Sequence, residues 1–409
     1  MSEALSENGS AKILRADSVR GSPLEVFWVF LKLGLTAFGG PIAHLGFFQR
    51  EIIDRRKWIT ESAYGDLVAL CQFLPGPASS QVAISLGYLR AGIRGAFAAS
   101  IGFISPSAIL MIAIGYGFQT INAQSGFLHG LKLAAVAVVA QAVWSMAGKF
   151  CPDRVRLTLA IVAACVVLGF SIAWVQIVVI AAGALFGRIF LQEKTGSEKT
   201  MFAEKDLHGG WFARTNIALF LILLMLLPVL SAWLPNHWLR LADAFYRSGA
   251  LVFGGGHVVL PLLQSETVAR GWLSQTAFMA GYGAAQAMPG PLFSFAAYLG
   301  TVIGTSWFAG LWCLLWIFLP SFLLIFGALP YWNNLRQNCG AQSALRGANA
   351  VVVGILLGAL YNPVWTIAVD SPRGLAIALA AFGLLQIWHW PPWLLVVLCG
   401  AAGFIFLGV

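Results

Sequence analysis

The sequence predicts an all-α polytopic membrane protein: two inverted-topology repeats with broken or re-entrant helices, joined by a linker transmembrane helix. Three observations predict it. Of the 409 residues 59% are hydrophobic and 10% charged, with a mean hydropathy of +0.80, far outside the soluble globular range. The chain also repeats itself. Laid on its own second half, Lys32 meets Arg247, Gly34 meets Gly249, Phe38-Gly39-Gly40 meets Phe253-Gly254-Gly255, Glu51 meets Glu266 and Arg55 meets Arg270. After a one-residue slip, Trp58 meets Trp272, Gln72 meets Gln286, Pro75-Gly76-Pro77 meets Pro289-Gly290-Pro291, Ser80 meets Ser294 and Pro106-Ser107 meets Pro320-Ser321. Third, proline and glycine interrupt apolar runs at matching places in both halves.

Taken in order, residues 1–22 carry six charges and no apolar core, so they read as a disordered cytosolic tail and not a signal peptide. Residues 23–190 form the first repeat. Within it Leu24–Phe38 is apolar, "GGP" interrupts it, and Ile42–Trp58 resumes as an amphipathic helix. Glu61–Leu74 and Ala78–Arg90 flank the first Pro-Gly-Pro. Each piece is about 20 Å long at 1.5 Å per residue, too short for a hydrocarbon core of ~30 Å. Gly95–Phe118 and Leu128–Gly148 are long enough to cross, and Leu157–Phe190 reads as a short pair. Residues 191–239 hold a charged stretch and the uncharged run Thr215–Asn236, which has no counterpart in either repeat. Residues 240–409 form the second repeat, with the uncharged run Gly347–Val369 and a last region split by "HWPPW", His389–Trp393. Strands are not expected, because barrel strands alternate apolar and polar residues while these runs are apolar throughout.

An even number of crossings per repeat plus one linker crossing turns the second repeat upside down, with the N-terminus cytosolic and the C-terminus outside. Inverted repeats place a substrate site at their interface near the bilayer midplane. The broken segments are either kinked spanning helices or hairpins that return to the same face. If the first spanned, Arg50, Arg55, Arg56 and Lys57 would lie outside, against the positive-inside bias. If both are hairpins, these residues and Arg90, Arg94, Lys149, Arg154, Arg156 and Arg188 all face the cytosol. The charges favour hairpins.

A broken helix leaves backbone groups unpaired at several kcal/mol each in hydrocarbon, so a break must be buried in protein or face a wet cavity. Proline at a helix start wastes no donor. Pro41, Pro77 and Pro291 are therefore placed to open half-helices whose N-terminal amides can bind an anion. Ser79, Ser80 and Ser294 add hydroxyls there, and Gln72 and Gln286 lie just before the second pair of breaks. Lys32 and Arg247 are matched cations inside apolar segments, which either snorkel to the interface or hold the two charges of a dianion. His44 and His257 follow the Gly-Gly breaks, while Glu51 and Glu266 read as partners of Arg55 and Arg270. Asp66 has no acidic counterpart.

The six cysteines are scattered without C-x-x-C spacing or nearby histidines, and no P-loop is present. Neither a metal, a cofactor nor an ATPase of its own is expected. The formal net charge of +9 reads as topological cations and not as a nucleic-acid surface.

The stretches "FLKLGLTAFGGPIAHLGFF", "DLVALCQFLPGPASSQ", "FGGGHVVLPLL" and "GAAQAMPGPLFSFAAYLG" resemble the chromate ion transporter family in its long, two-domain form. The resemblance covers both repeats. It implies a secondary transporter exporting chromate across a prokaryotic cytoplasmic membrane and so conferring chromate resistance, with the anion and the lipid bilayer as partners and a homodimer left open. A sulfate or other oxyanion permease is the alternative, since it would use the same tetrahedral dianion site. A membrane-embedded enzyme is less favoured, for no cluster of catalytic residues accompanies the breaks. The second repeat departs from the first in having Gly256 where the first has Pro41.

Overall fold

The computed structural model describes residues 21–120, 126–170, 173–191, 210–253, 256–332 and 338–407, and among these the secondary structure is helical throughout. The expected tail lies largely outside the described residues. The first repeat opens with α1 (Pro23–Thr36), capped by Ser22, whose hydroxyl accepts the Glu25 amide at 3.1 Å. After the break come α2 (Gly40–Phe48), which continues as a π turn over Gln49–Arg55, and α3 (Glu61–Phe73). Next is α4 (Ala78–Thr120), folded into two arms at Ala91 and Gly92, whose φ of +65° reverses the chain.

Ion pairs fix the course of these short helices. Glu25, at the start of α1, lies 3.7 Å from Arg56 just beyond the π turn and 3.3 Å from Arg90 at the end of the first arm of α4. Two turns further in, Lys32 meets Glu51 at 3.3 Å. Pairs that step inward on one strand of helix and backward on the other describe a chain that doubles back. Both broken segments therefore double back, with their open ends at one end of the molecule.

The rest of the first repeat is α5 (Gly126–Phe150), α6 (Arg154–Gly169) and α7 (Ala173–Phe190). The linker helix α8 (Trp211–Trp233) follows. Its 23 residues give about 35 Å, one crossing with little to spare. Most of its surface faces away from the protein, and Trp211 and Trp233 at its two ends are over 80% exposed, as expected for side chains seated in the two headgroup layers.

The second repeat reproduces the hairpins with α9 (His237–Ala250), α10 (Val259–Thr267), α11 (Gln275–Gln286) and α12 (Phe295–Gly304). Arg247 on α9 meets Glu266 on α10 at 3.0 Å, and Arg270 meets the same carboxylate at 2.7 Å. Then come α13 (Trp307–Ala328), α14 (Cys339–Ala359), α15 (Pro372–Gln386) and α16 (Pro392–Phe406). The base of this set, at Trp307, lies against the far end of α4, where the Trp307 amide donates to the Tyr116 hydroxyl at 2.8 Å. The first repeat's base lies at the bend of α4, where its second arm begins.

The two repeats are interleaved. The long helix α14 packs between α6 and α7 of the first repeat, while α5 packs on α15 and α16 of the second. Close approach depends on small residues: Gly347 lies against the Gly183 and Gly187 backbone, and Gly130 against that of Cys399. Without bulk water to drive helix association inside a bilayer, such backbone contact supplies the packing. The buried core accordingly mixes Leu133, Val136 and Ala163 of one repeat with Phe278, Phe295 and Val352 of the other.

The two ion-pair ladders differ in depth. Arg247, Asp243 and Glu266 are each more than nine-tenths buried, whereas Lys32 and Arg55 around Glu51 are more than half exposed. Breaking a buried pair leaves an uncompensated charge and costs about 3–5 kcal/mol, against about 1 kcal/mol or less for exposed partners. Glu266→Gln should therefore lower the melting temperature of the purified protein in detergent far more than Glu51→Gln. Equal shifts would mean that depth does not set the value of these pairs.

Candidate functional site

The breaks of both repeats converge. Gly256 lies against Pro41, its own sequence counterpart, so a local two-fold relation passes between the two first breaks. A Cβ at Gly256 would sit 3.6 Å from Pro41 Cγ, ordinary contact. The tip of the α15–α16 hairpin joins them, with the Trp393 ring 6.1 Å from Phe38.

Each Pro-Gly-Pro turn is tied to the opposite repeat. The Gly76 amide donates to the Val252 carbonyl at 2.6 Å, and the Gly290 amide donates to the Ala37 carbonyl at 2.9 Å. Ala37 and Val252 occupy matching positions just before the Gly-Gly breaks. The break in one repeat thus supplies the partner for the break in the other, as buried backbone donors require. Both glycines have positive φ, +121° at Gly76 and +92° at Gly290, a region open to glycine and strained for other residues. Each turn also packs against the proline-bearing long helix of the other repeat. The Cβ position of Gly76 lies 3.2 Å from Ser321 Oγ on α13, and that of Gly290 lies 3.0 Å from Ser107 Oγ on α4.

Beyond the first turn, α4 opens at Ala78, and its first intrahelical bond runs from the Gln81 amide to the Pro77 carbonyl at 3.0 Å. The amides of Ala78, Ser79 and Ser80 precede that bond and point off the helix end. Around them His44 Nδ1 and Ser79 Oγ share a hydrogen bond of 3.3 Å, and Gln81 Nε2 donates to the Pro75 carbonyl at 2.7 Å. Four buried side-chain atoms here have no hydrogen-bond partner among the described residues: His44 Nε2, Ser80 Oγ, Gln81 Oε1 and Ser321 Oγ. Buried polar atoms left unpaired cost about 1–3 kcal/mol each, a cost that a polar guest at this place would relieve. Gln81 and Ser321 were missed by sequence reasoning. Gln81 is adjacent to a named serine, but Ser321 is remote in the chain and its only signal was the Pro-Ser match to Pro106-Ser107.

The remaining residues expected at the site fall into three groups. Pro41 lies in the first turn of α2 after Gly39 (φ +102°) and Gly40 (φ +78°), and Pro291 caps the turn of 3-10 helix Leu292–Ser294 that leads into α12. Ser294 Oγ donates to the Pro291 carbonyl at 2.8 Å. A second group is placed elsewhere. Lys32 and Arg247 are each paired with a carboxylate in its own hairpin, Glu51 and Glu266, the matched charges neutralising one another across the hairpin's two arms. Gln72 is exposed and accepts from Lys149 Nζ at 3.3 Å, while its counterpart Gln286 is half-buried beside Tyr282. Gly254, Gly255 and the side chain of His257 lie outside the described residues.

A helical bundle with a shared core, lipid-facing apolar helices and paired breaks at its centre defines a membrane transporter of the repeat-built kind. The Chromate transporter family profile matches residues 24–188 and 239–404, one match on each repeat, and the chain belongs to that family. It is 27% identical over 397 residues to the chromate transport protein of Pseudomonas aeruginosa, covering 93% of this chain and 92% of that protein. It is likewise 27% identical over 387 residues to the chromate transport protein of Cupriavidus metallidurans, covering 90% of each chain. An uncharacterized transporter of Methanocaldococcus jannaschii is also 27% identical, over 370 residues. No solved structure matches the chain.

Gly76 and Gly40 separate space from backbone strain. Alanine at Gly76 would place its Cβ 2.6 Å from Gln81 Nε2, whereas nothing lies within 4 Å of the same position at Gly40 (φ +78°). Backbone strain alone costs about 1–3 kcal/mol. Gly40→Ala should keep most folded protein and transport, and Gly76→Ala should lose both, as read by membrane yield and anion flux. A tolerant Gly76 would show that the turn is not held as described.

Proposed function

We propose that this chain is a secondary transporter that exports chromate across a prokaryotic cytoplasmic membrane, binding the anion at the first Pro-Gly-Pro break. The observation that carries this reading is the group of unpartnered buried atoms, His44 Nε2, Ser80 Oγ, Gln81 Oε1 and Ser321 Oγ, around the open N-terminus of α4. A tetrahedral dianion offers acceptors in several directions, and amides, hydroxyls and an imidazole N–H are the donors it takes. Gly39, Gly40 and Pro41 place His44 over Ser79, and Pro75, Gly76 and Pro77 aim the helix end. On this reading Lys32 and Arg247 act through the ladders that hold the hairpins together.

The inverted arrangement of residues 23–190 and 240–409 belongs to the same proposal. It is supported by α8 as a single added crossing and by the placement of the two hairpin bases at opposite ends of the second arm of α4. With Arg55, Arg56 and Arg90 facing the cytosol, the N-terminus is cytosolic and the C-terminus outside. Outward movement needs no ATP, because one charge crossing 100 mV is worth about 2.3 kcal/mol and a dianion gains roughly twice that on leaving a negative interior.

Everted membrane vesicles test the reading directly. Chromate should accumulate in them in proportion to an inside-positive potential and without change of oxidation state, and Ser80→Ala or His44→Ala should raise KM about tenfold with yield preserved. Reduction of the chromium would instead reveal an enzyme, and sulfate taken up in preference to chromate would reassign the substrate. Reporter fusions at Met1 and Val409 should lie on opposite sides, and a shared side would rule out the inversion.

A further inference from the structure

We infer that the anion site is single and lies off the local two-fold relation, completed across the repeat interface by the Ser321 hydroxyl, while the matching second break is a structural tie that binds no anion. This rests on the reading of the first Pro-Gly-Pro as the anion site. The two turns have matching backbones but unequal surroundings. Where the first repeat has Ser79 and Gln81 after its turn, the second has Phe293 and Phe295, both fully buried. After the first turn the helical bonding starts with the Gln81 amide on the Pro77 carbonyl, and the amides of Ala78, Ser79 and Ser80 precede it. After the second, a 3-10 turn already uses the Ser294 and Phe295 amides on the Pro291 and Leu292 carbonyls, and Ser294 Oγ is spent on Pro291 as well.

The two serines that cross the interface differ in the same sense. Ser107 Oγ, beside Gly290, donates to the Ile104 carbonyl of its own helix at 3.0 Å. Ser321 Oγ, beside Gly76, is wholly buried and has no partner among the described residues, although it occupies the matching position. Four unpartnered atoms surround the first turn; around the second, among the described residues, which do not include the His257 side chain, the unpartnered atom is Gln286 Nε2, on a half-buried side chain already bonded to Tyr282. Duplication has kept the reciprocal backbone ties and left the polar lining on one side. Because α13 belongs to the second repeat, an anion held by Ser80 and Ser321 bridges the repeats and is released when α13 and the first hairpin separate.

Chromate flux in proteoliposomes and equilibrium binding of radiolabelled chromate to the purified protein test this with four variants. Ser321→Ala should raise KM and Kd about tenfold, the worth of one hydrogen bond to a charged group, with kcat changed less. Ser321→Cys, which keeps the volume with a weaker donor, should shift both in the same direction and guards against a packing defect. Ser107→Ala should leave both constants within about twofold, and Ser80→Ala should match Ser321→Ala. Equal effects of Ser107→Ala and Ser321→Ala would overturn the asymmetry in favour of two equivalent half-sites. An effect of Ser80→Ala with neither Ser321 variant altered would remove Ser321 while leaving the site at the first break. No effect from any of the four would place the anion elsewhere.

Discussion

In hydrocarbon a backbone amide must find a partner, and a helix broken mid-membrane has amides to spare. This protein meets the demand by exchange. The Gly76 amide bonds to Val252 and the Gly290 amide to Ala37, so each repeat closes the other's break. Neither turn would be satisfied in an isolated half. That requirement explains why two copies of the repeat sit in one chain with their hairpins face to face, and why the Gly-Gly and Pro-Gly-Pro motifs occur together in each half.

The same demand shapes the packing further out. Helices α5 and α14 each pack on the terminal hairpin of the opposite repeat, and the buried core draws from both. Sequence repeats and folded units therefore do not coincide: the duplication divides the chain in series, while the packing divides it across. The anion site proposed at the crossing would be touched by both repeats, so a change in how they meet would change it. Alternating access needs such coupling.

Charge is kept away from this centre. Lys32 and Arg247, the cations that invite assignment to the anion, are neutralised by Glu51 and Glu266 partway down their hairpins. Around the first break the donors are amides, hydroxyls and an imidazole. Preorganised neutral dipoles can hold a dianion without burying a permanent opposite charge, which would oppose release. A carrier has to let go as readily as it binds.

The sequence by itself determined the membrane class, the duplication, the linker helix and the existence of the breaks, because hydropathy, proline and glycine act locally and leave a one-dimensional trace. It also favoured hairpins, through the distribution of cations, and the structure draws the helices back on themselves. The partners were decided by tertiary structure alone. Whether Lys32 meets an anion or Glu51, whether Gln72 points inward or to Lys149, and whether Ser321 comes to Gly76 depend on which surfaces pack together across a gap of some 250 residues in the case of Ser321 and Gly76. Nothing at either position alone distinguishes Ser107 from Ser321, since both follow a proline in an apolar helix. Their different fates arise from contacts made only when the two repeats close on each other, where one hydroxyl turns to its own carbonyl and the other is left facing the break.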